Sequence, residues 1–396
     1  MRFYWFISLL FFGHLAIAQV NDDLLRAQGS FVEEDYETAW QLFAKIEADE
    51  DWILKRKIHL AWVTGRHREM MQLLEKLDSY SDQGLKLNYQ IRYYAAKNST
   101  DTAFDLLGKL LNSRRKPPRA QLRTDEAFSI LKKYPQWDSL WKADHYKSYD
   151  LKLETAIREL EVKNYDLALT LLDELIEQRP FREMPWYYRS RLLLEQGFTK
   201  SALDDADQAI KEDDDQANFY ILRAKIYLKL DKPKKALKDI RKAIEADPYQ
   251  PGFYLIALQA AENATQYEAG LVYSEHYLMA HPEKPQALYY RALMIYQTGS
   301  CMKALPHINK AIARSSHNPD FYYLRAQVYQ SCKVYRQAEK DYGMCMDFWP
   351  RKAELYLGRA ICRHHTGDIS GSCRDLRKAL DLGALEADEK LSDWCR

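Results

Sequence analysis

The chain has 396 residues, of which 14 are Gly and 13 Pro, while 47% are hydrophobic. That length supports a large core, and the scarcity of breakers favours helices joined by short loops, with no sheet needed. Lys plus Arg (58) against Asp plus Glu (57) leave a formal charge of +1, which excludes the strongly basic class of nucleic-acid or acidic-membrane binders and points to protein partners.

The first residues, MRFYWFISLLFFGHLAIAQV, place Arg2 ahead of an apolar run that ends in the small-x-small triplet Ala16-Ile17-Ala18. The pattern predicts a secretory signal over 1–18, cut before Gln19, and hence an exported chain, periplasmic or secreted. The run from Phe3 to Ala18 is short for a membrane span. No later segment approaches about 20 uninterrupted apolar residues, so no integral membrane segment is expected after cleavage.

Next come DYETAWQLFAKI around Ala39, TGRHREMMQLLEKL around Met70 and NSTDTAFDLLGKL around Ala103, with spacings of 31 and 33. Each reads as the second helix of a degenerate helix pair, giving three pairs within 19–112. Pro117-Pro118 then forbids a helix beside a basic cluster, Arg114, Arg115 and Lys116, read here as solvated. The stretch 113–148 is therefore a linker with short capping helices, two of them about Pro135 between Thr124 and Lys142.

From there the chain is periodic. Steps of 34 from Ala168 reach Ala202, Ala236, Gly270, Ala304, Ala338 and Ser372, all small; steps from Ala156 reach Ser190, Ala224, Leu258, Ala292, Ala326 and Ala360. A third column, Pro180, Asp214, Pro248, Pro282, Ser316 and Pro350, ends the second helix of each unit. Gly197, Gly299 and Gly367 fall where a turn is wanted. Seven units follow over 149–384, each a helix, a turn and a second helix, with small residues where the helices touch.

On these columns the chain resembles the tetratricopeptide repeat family. The resemblance implies an all-α fold, a right-handed superhelical solenoid of antiparallel helix pairs whose first helices line a concave groove for a peptide or helix of a partner protein. Gly270 and Ser372 depart from the usual Ala, and the unit beginning near Pro251 matches least well.

Arg189, Arg223, Arg291, Arg325 and Arg359 share one slot, and sixteen residues on stand Asp205, Asp239, His307, Asp341 and Asp375. Where the arginine is missing (Thr155, Ala257) the acid is missing too (Leu171, Tyr273). The two positions face each other across a helix pair, so Arg189 with Asp205, Arg223 with Asp239, Arg325 with Asp341 and Arg359 with Asp375 are expected as structural pairs rather than ligand readers.

The register places Tyr187, Arg191, Ile221, Lys225, Leu255, Gln259, Tyr289, Leu293, Tyr323 and Gln327 on the groove face, a mostly aromatic and apolar stripe. Carboxylate capture lacks its residues here, because Lys225, Lys229 and Asn218 all fall in one unit.

All six Cys lie in the last quarter of the chain. The segment SCRDLRKALDLGALEADEKLSDWCR reads as two helices folded about Leu382-Gly383, which brings Cys373 to Cys395 and fastens a C-terminal capping helix over 385–396. Cys301 with Cys332 is the second candidate pair. This ending also resembles exported repeat proteins of the Bacteroidetes, which implies the envelope of a Gram-negative bacterium. There is no phosphate loop, HExxH, GxSxG or dinucleotide turn. The expected function is a non-catalytic protein-interaction scaffold or assembly factor of the cell envelope, with no cofactor, metal or nucleic acid. The alternative is a metal-binding or enzyme-associated protein with a site near Cys362, His364 and Cys373.

Overall fold

A computed structural model describes residues 21–47, 50–77, 83–113, 116–142 and 145–395; the signal expected over 1–18 lies outside them. Among the described residues every regular element is helical. The chain divides into two compact units, the first ending at Gln250 and the second beginning at Pro251, inside the periodic region.

The first unit starts with three helix pairs: α1 (Asp22–Val32) with α2 (Tyr36–Ala44), α3 (Asp51–Val63) with α4 (His67–Lys76), and α5 (Gln83–Ala96) with α6 (Thr100–Leu111). Ala39, Met70 and Ala103 are fully buried on their second helices. A short segment follows, α7 (Arg119–Thr124), two 3₁₀ turns at Glu126–Phe128 and Leu131–Lys133, and α8 (Pro135–Leu140). Its apolar side chains, Leu122, Phe128, Leu131 and Trp137, close the end of α5 and α6 against Ile91, Leu107 and Leu111. Pro135 opens α8 at its first turn, where a missing N–H costs nothing. Of the basic cluster, only Lys116 is described; it donates to the Ser113 carbonyl and lies 5.3 Å from the Tyr146 ring centre.

Periodic pairs complete the first unit: α9 (Ser148–Glu161) with α10 (Tyr165–Gln178), α11 (Glu183–Glu195) with α12 (Thr199–Glu212), and α13 (Ala217–Lys229) with α14 (Pro233–Ala246). Glu154 of α9 accepts from the backbone N–H of Arg119 and Ala120 at 2.8 and 3.2 Å, placing a carboxylate on the open N-terminus of α7. The second unit holds α15 (Pro251–Asn263) with α16 (Tyr267–Ala280), α17 (Pro285–Gln297) with α18 (Cys301–Arg314), α19 (Pro319–Ser331) with α20 (Tyr335–Met346), α21 (Ala353–Thr366) with α22 (Ile369–Asp381), and the terminal α23 (Glu386–Trp394).

The small columns are the contact lines. Ala156, Ser190, Ala224, Leu258, Ala292, Ala326 and Ala360 are buried, as are Ala168, Ala202, Ala236, Ala304, Ala338 and Ser372 on the partner helices. In two pairs the approach is close enough for a hydroxyl to cross: Ser190 donates to the Ala202 carbonyl at 2.7 Å and Ser372 to that of Ala360 at 2.9 Å. Gly270 and Gly358 have a different cause. A Cβ at Gly270 would meet the Met294 sulfur at 2.4 Å, and one at Gly358 would meet the Tyr342 ring at 2.5 Å.

The turn slot is left-handed in all seven periodic pairs, although only three of them place Gly there. Lys163, Asp231, Thr265 and Lys333 take φ of 62°, 53°, 55° and 60° beside Gly197, Gly299 and Gly367 at 87–89°. The three earlier pairs carry the same conformation at Glu34, Gly65 and Asn98, five residues before Ala39, Met70 and Ala103. Their turns are built alike despite the slipped spacing.

Gly358→Ala should lower stability by about 1–3 kcal/mol, because the added methyl overlaps the buried ring of Tyr342. Urea unfolding measures it, and adding Tyr342→Leu should recover part of the loss. An unchanged midpoint in Gly358→Ala would contradict the packing described.

Candidate functional site

The arginine column is built from both sides. Arg189 donates through Nε and Nη2 to Asp205 at 2.7 and 2.8 Å, and Arg223, Arg325 and Arg359 meet Asp239, Asp341 and Asp375 in the same two-pronged way. The free prong, Nη1, turns to the second helix of the preceding pair. It reaches Asp173 at 2.6 Å from Arg189, Asp207 at 2.7 Å from Arg223 and Asn309 at 3.0 Å from Arg325. Arg189, Arg223 and Arg325 thus each join two neighbouring pairs.

The aromatic residue three positions earlier flanks each guanidinium: Trp186, Tyr220, Tyr322 and Tyr356 lie 4.9, 5.7, 5.4 and 6.0 Å from the corresponding carbon. The four aspartates facing inward are 4–7% exposed and the arginines 18–21%. Hydrogen bonding to these aspartates pushes the Arg189 and Arg223 pKa further up, against the opposing effect of burial. Arg291, opposite His307, instead donates to the Leu271 carbonyl at 2.8 Å and to Ser274 Oγ at 3.2 Å, with Glu275 at 3.6 Å.

The first helices touch one another within each unit, α9 with α11 and α11 with α13, then α17 with α19 and α19 with α21. They form a face, but it is less apolar than the sequence stripe suggests. Ile221 and Leu293 are buried at 6% and 5% exposure and present no surface to a partner. Tyr187 and Tyr289 are half-buried because each ring packs on the next first helix, against Phe219 at 5.0 Å and Phe321 at 5.4 Å. Burial accordingly raises the Tyr187 and Tyr289 hydroxyl pKa. Lys225 and Gln259 are exposed; Arg191, Leu255, Tyr323 and Gln327 are partly so. Tyr323 keeps one face under Lys352 Nζ, 4.0 Å from its centre.

Cys373 and Cys395 are bonded, as are Cys301 and Cys332. This removes Cys373 from any metal set with Cys362 and His364, and the metal site expected there is corrected. Cys362 is buried, which holds its thiol up at about 12, far from the thiolate a metal needs. His364 stacks on Trp394 at 3.9 Å.

One feature has no signal in the periodicity. A cleft of about 710 Å³ in the first unit lies between α1, α3 and the 246–250 turn. Trp52 stacks on Tyr249 at 4.9 Å, Arg56 sits 4.2 Å over the Phe31 ring, and His59 Nδ1 is 2.8 Å from the Tyr89 hydroxyl. The aromatic content of α3 is the only hint the sequence holds. Burial, with Arg92 and Arg56 nearby, lowers the His59 pKa from its ordinary 6.5.

Two measurements probe this geometry. Asp239→Ala, which strands a half-sheltered Arg223, should cost about 2–3 kcal/mol, whereas Asp207→Ala at the exposed prong should cost under about 1 kcal/mol. Equal losses in urea would contradict the division of labour between the two prongs. Because the His59 pKa is lower folded than unfolded, the unfolded chain binds the proton first, and stability falls as pH drops from 6.5 through the folded value. Unfolding midpoints at pH 7.5 and 5.5 should therefore differ less in His59→Gln than in the parent chain.

Residues 187–251 match the family model described as Tetratricopeptide repeat. No curated protein matches the chain in sequence. Solved structures of similar shape include YrrB, a TPR protein with an unusual peptide-binding site (16% identity, 50% of this chain and 97% of that one, TM-score 0.43). Others are the APC/C hetero-tetramer Cut9-Hcn1 (13%, 96% and 97%, 0.47) and PilW, a type IV pilus biogenesis factor (19%, 53% and 97%, 0.44). The match spans α11 to the start of α15, and helix pairs of the same 34-residue period lie on either side of it.

Proposed function

We propose that the chain is a non-catalytic protein-interaction scaffold or assembly factor that holds a peptide or helix of a partner along its first-helix face, in the cell envelope. The observation that supports this reading most is the repetition of that face within each unit: α9, α11 and α13, and again α17, α19 and α21, touch in turn and repeat a row of partly open side chains at one-pair intervals. Arg191 and Lys225 lie on it in the first unit, and Tyr323 and Gln327 in the second. Aromatic rings fixed by packing offer contact area with few rotors left to freeze, and the polar residues between them set register.

The two disulfides fit an oxidising compartment, in keeping with the export signal read at 1–18. No helix among the described residues is long and apolar enough to cross a membrane.

Crosslinking in the native envelope followed by capture of the chain tests the face. Arg191→Glu with Lys225→Glu touches solvent-facing groups, so the melting temperature should stay put while capture of a discrete partner falls about tenfold or more. Undiminished capture by that double variant would falsify the assignment of this face.

A further inference from the structure

We propose that the cleft between α20 and α21 is a binding site for an acidic side chain of a protein partner, with Arg359 as its anchor. The argument comes from the repeats themselves. At the position sixteen residues before the arginine, the other pairs supply an oxygen to Nη1 from Asp173, Asp207 or Asn309, and Glu275 approaches Arg291. Before Arg359 that position is Gly343, which has no side chain to offer.

Arg359 spends Nε and Nη2 on Asp375 at 2.8 Å each, and no hydrogen bond to Nη1 is made among the described residues. A Cβ at Gly343 would lie 4.0 Å from this nitrogen and meet nothing else within 4 Å, so the room an acceptor needs is open. The repeats thus define both the missing group and the direction from which it comes.

The surroundings favour a negative charge. The cleft, about 530 Å³, is lined by four cations, Arg336, Lys340, Arg359 and Arg363, against one carboxylate, Glu339, with Gln337 and Thr366 between them. Arg363 is already engaged, donating to Glu339 and Asp375 at 2.9 Å each with Asp368 at 3.6 Å. Arg336 and Lys340 are exposed and make no hydrogen bond or ion pair with a described residue. Two cations and one directed guanidinium N–H therefore await an anion. The volume far exceeds a free acetate, and in the sibling pairs the acceptor is carried on a short side chain from a helix, so a partner's Asp or Glu is the occupant that fits. The site lies on α20 and α21 and shares no residue with the row assigned to the first-helix face.

The test uses the full chain and a fluorescent peptide of alternating Glu and Ala, read by anisotropy at low salt, with a Gln-for-Glu peptide and sodium acetate as separate titrants. The Glu peptide should bind the parent and Gly343→Ala alike, since a methyl leaves the slot empty. Gly343→Asp and Gly343→Asn should each weaken binding about tenfold by supplying the acceptor from within, as Asp207 and Asn309 do. The Asn variant changes no charge, which separates filling of the slot from repulsion. Equal affinity of Gly343→Asn and the parent, or equal binding of the Gln peptide, overturns the proposal. Tight acetate binding with no affinity for the Glu peptide overturns the partner-protein occupant.

Discussion

An apolar stripe holds two helices together but tolerates sliding; a planar fork does not. In each intact pair of this chain a guanidinium presents one edge to an inward aspartate of its own pair, and in three of the four its remaining nitrogen reaches the pair before. Two-pronged pairing fixes direction as well as distance, and a weakly hydrated guanidinium accepts the partial shelter better than an ammonium does. The net free energy is modest, because desolvation of an inward aspartate offsets much of the attraction. What the interaction supplies is registration. Where the slot holds Ala257 opposite Tyr273, in the pair that opens the second unit, Tyr254, Tyr273 and Tyr277 are fully buried and apolar volume replaces the ion pair.

Registration leaves the rest of the first helix to be shared between neighbours and solvent. Tyr187 and Tyr289 give one face to the next first helix and keep only the other. A repeat interface that consumes the large side chains leaves arginine, lysine and glutamine as the accessible chemistry. Recognition on such a face rests on polar register over rigid rings more than on apolar area.

The period, the small columns and the arginine with its acid could be read from the sequence because rigid helices convert a fixed spacing into a fixed place. The second acceptor was harder to read, since its column runs Asp173, Asp207, Arg241, Glu275, Asn309, Gly343 and shows no single residue type. Ile221 and Leu293 were read as accessible because positions one helix turn apart face either solvent or the adjacent first helix, and a single sequence does not say which. The early pairs kept their left-handed turns at Glu34, Gly65 and Asn98 while their spacing drifted, so the backbone there is more regular than the residues that encode it. The cleft between Trp52 and Tyr249 joins positions too distant for any periodicity to connect.

That last contact differs in kind from the others. The disulfides close separations of 31 and 22 residues and the arginine forks reach 16, so most of the chain's ties form between near neighbours. Chains of this sort have low contact order, fold quickly, and can begin at any pair. The stacking of Trp52 on Tyr249 must wait, because the loop it closes spans nearly the whole first unit and its closure entropy is repaid only once the helices between have ordered. The cleft these two rings wall therefore draws its stability from every pair between them: loosening any one of them lengthens the free loop that the stacking has to close.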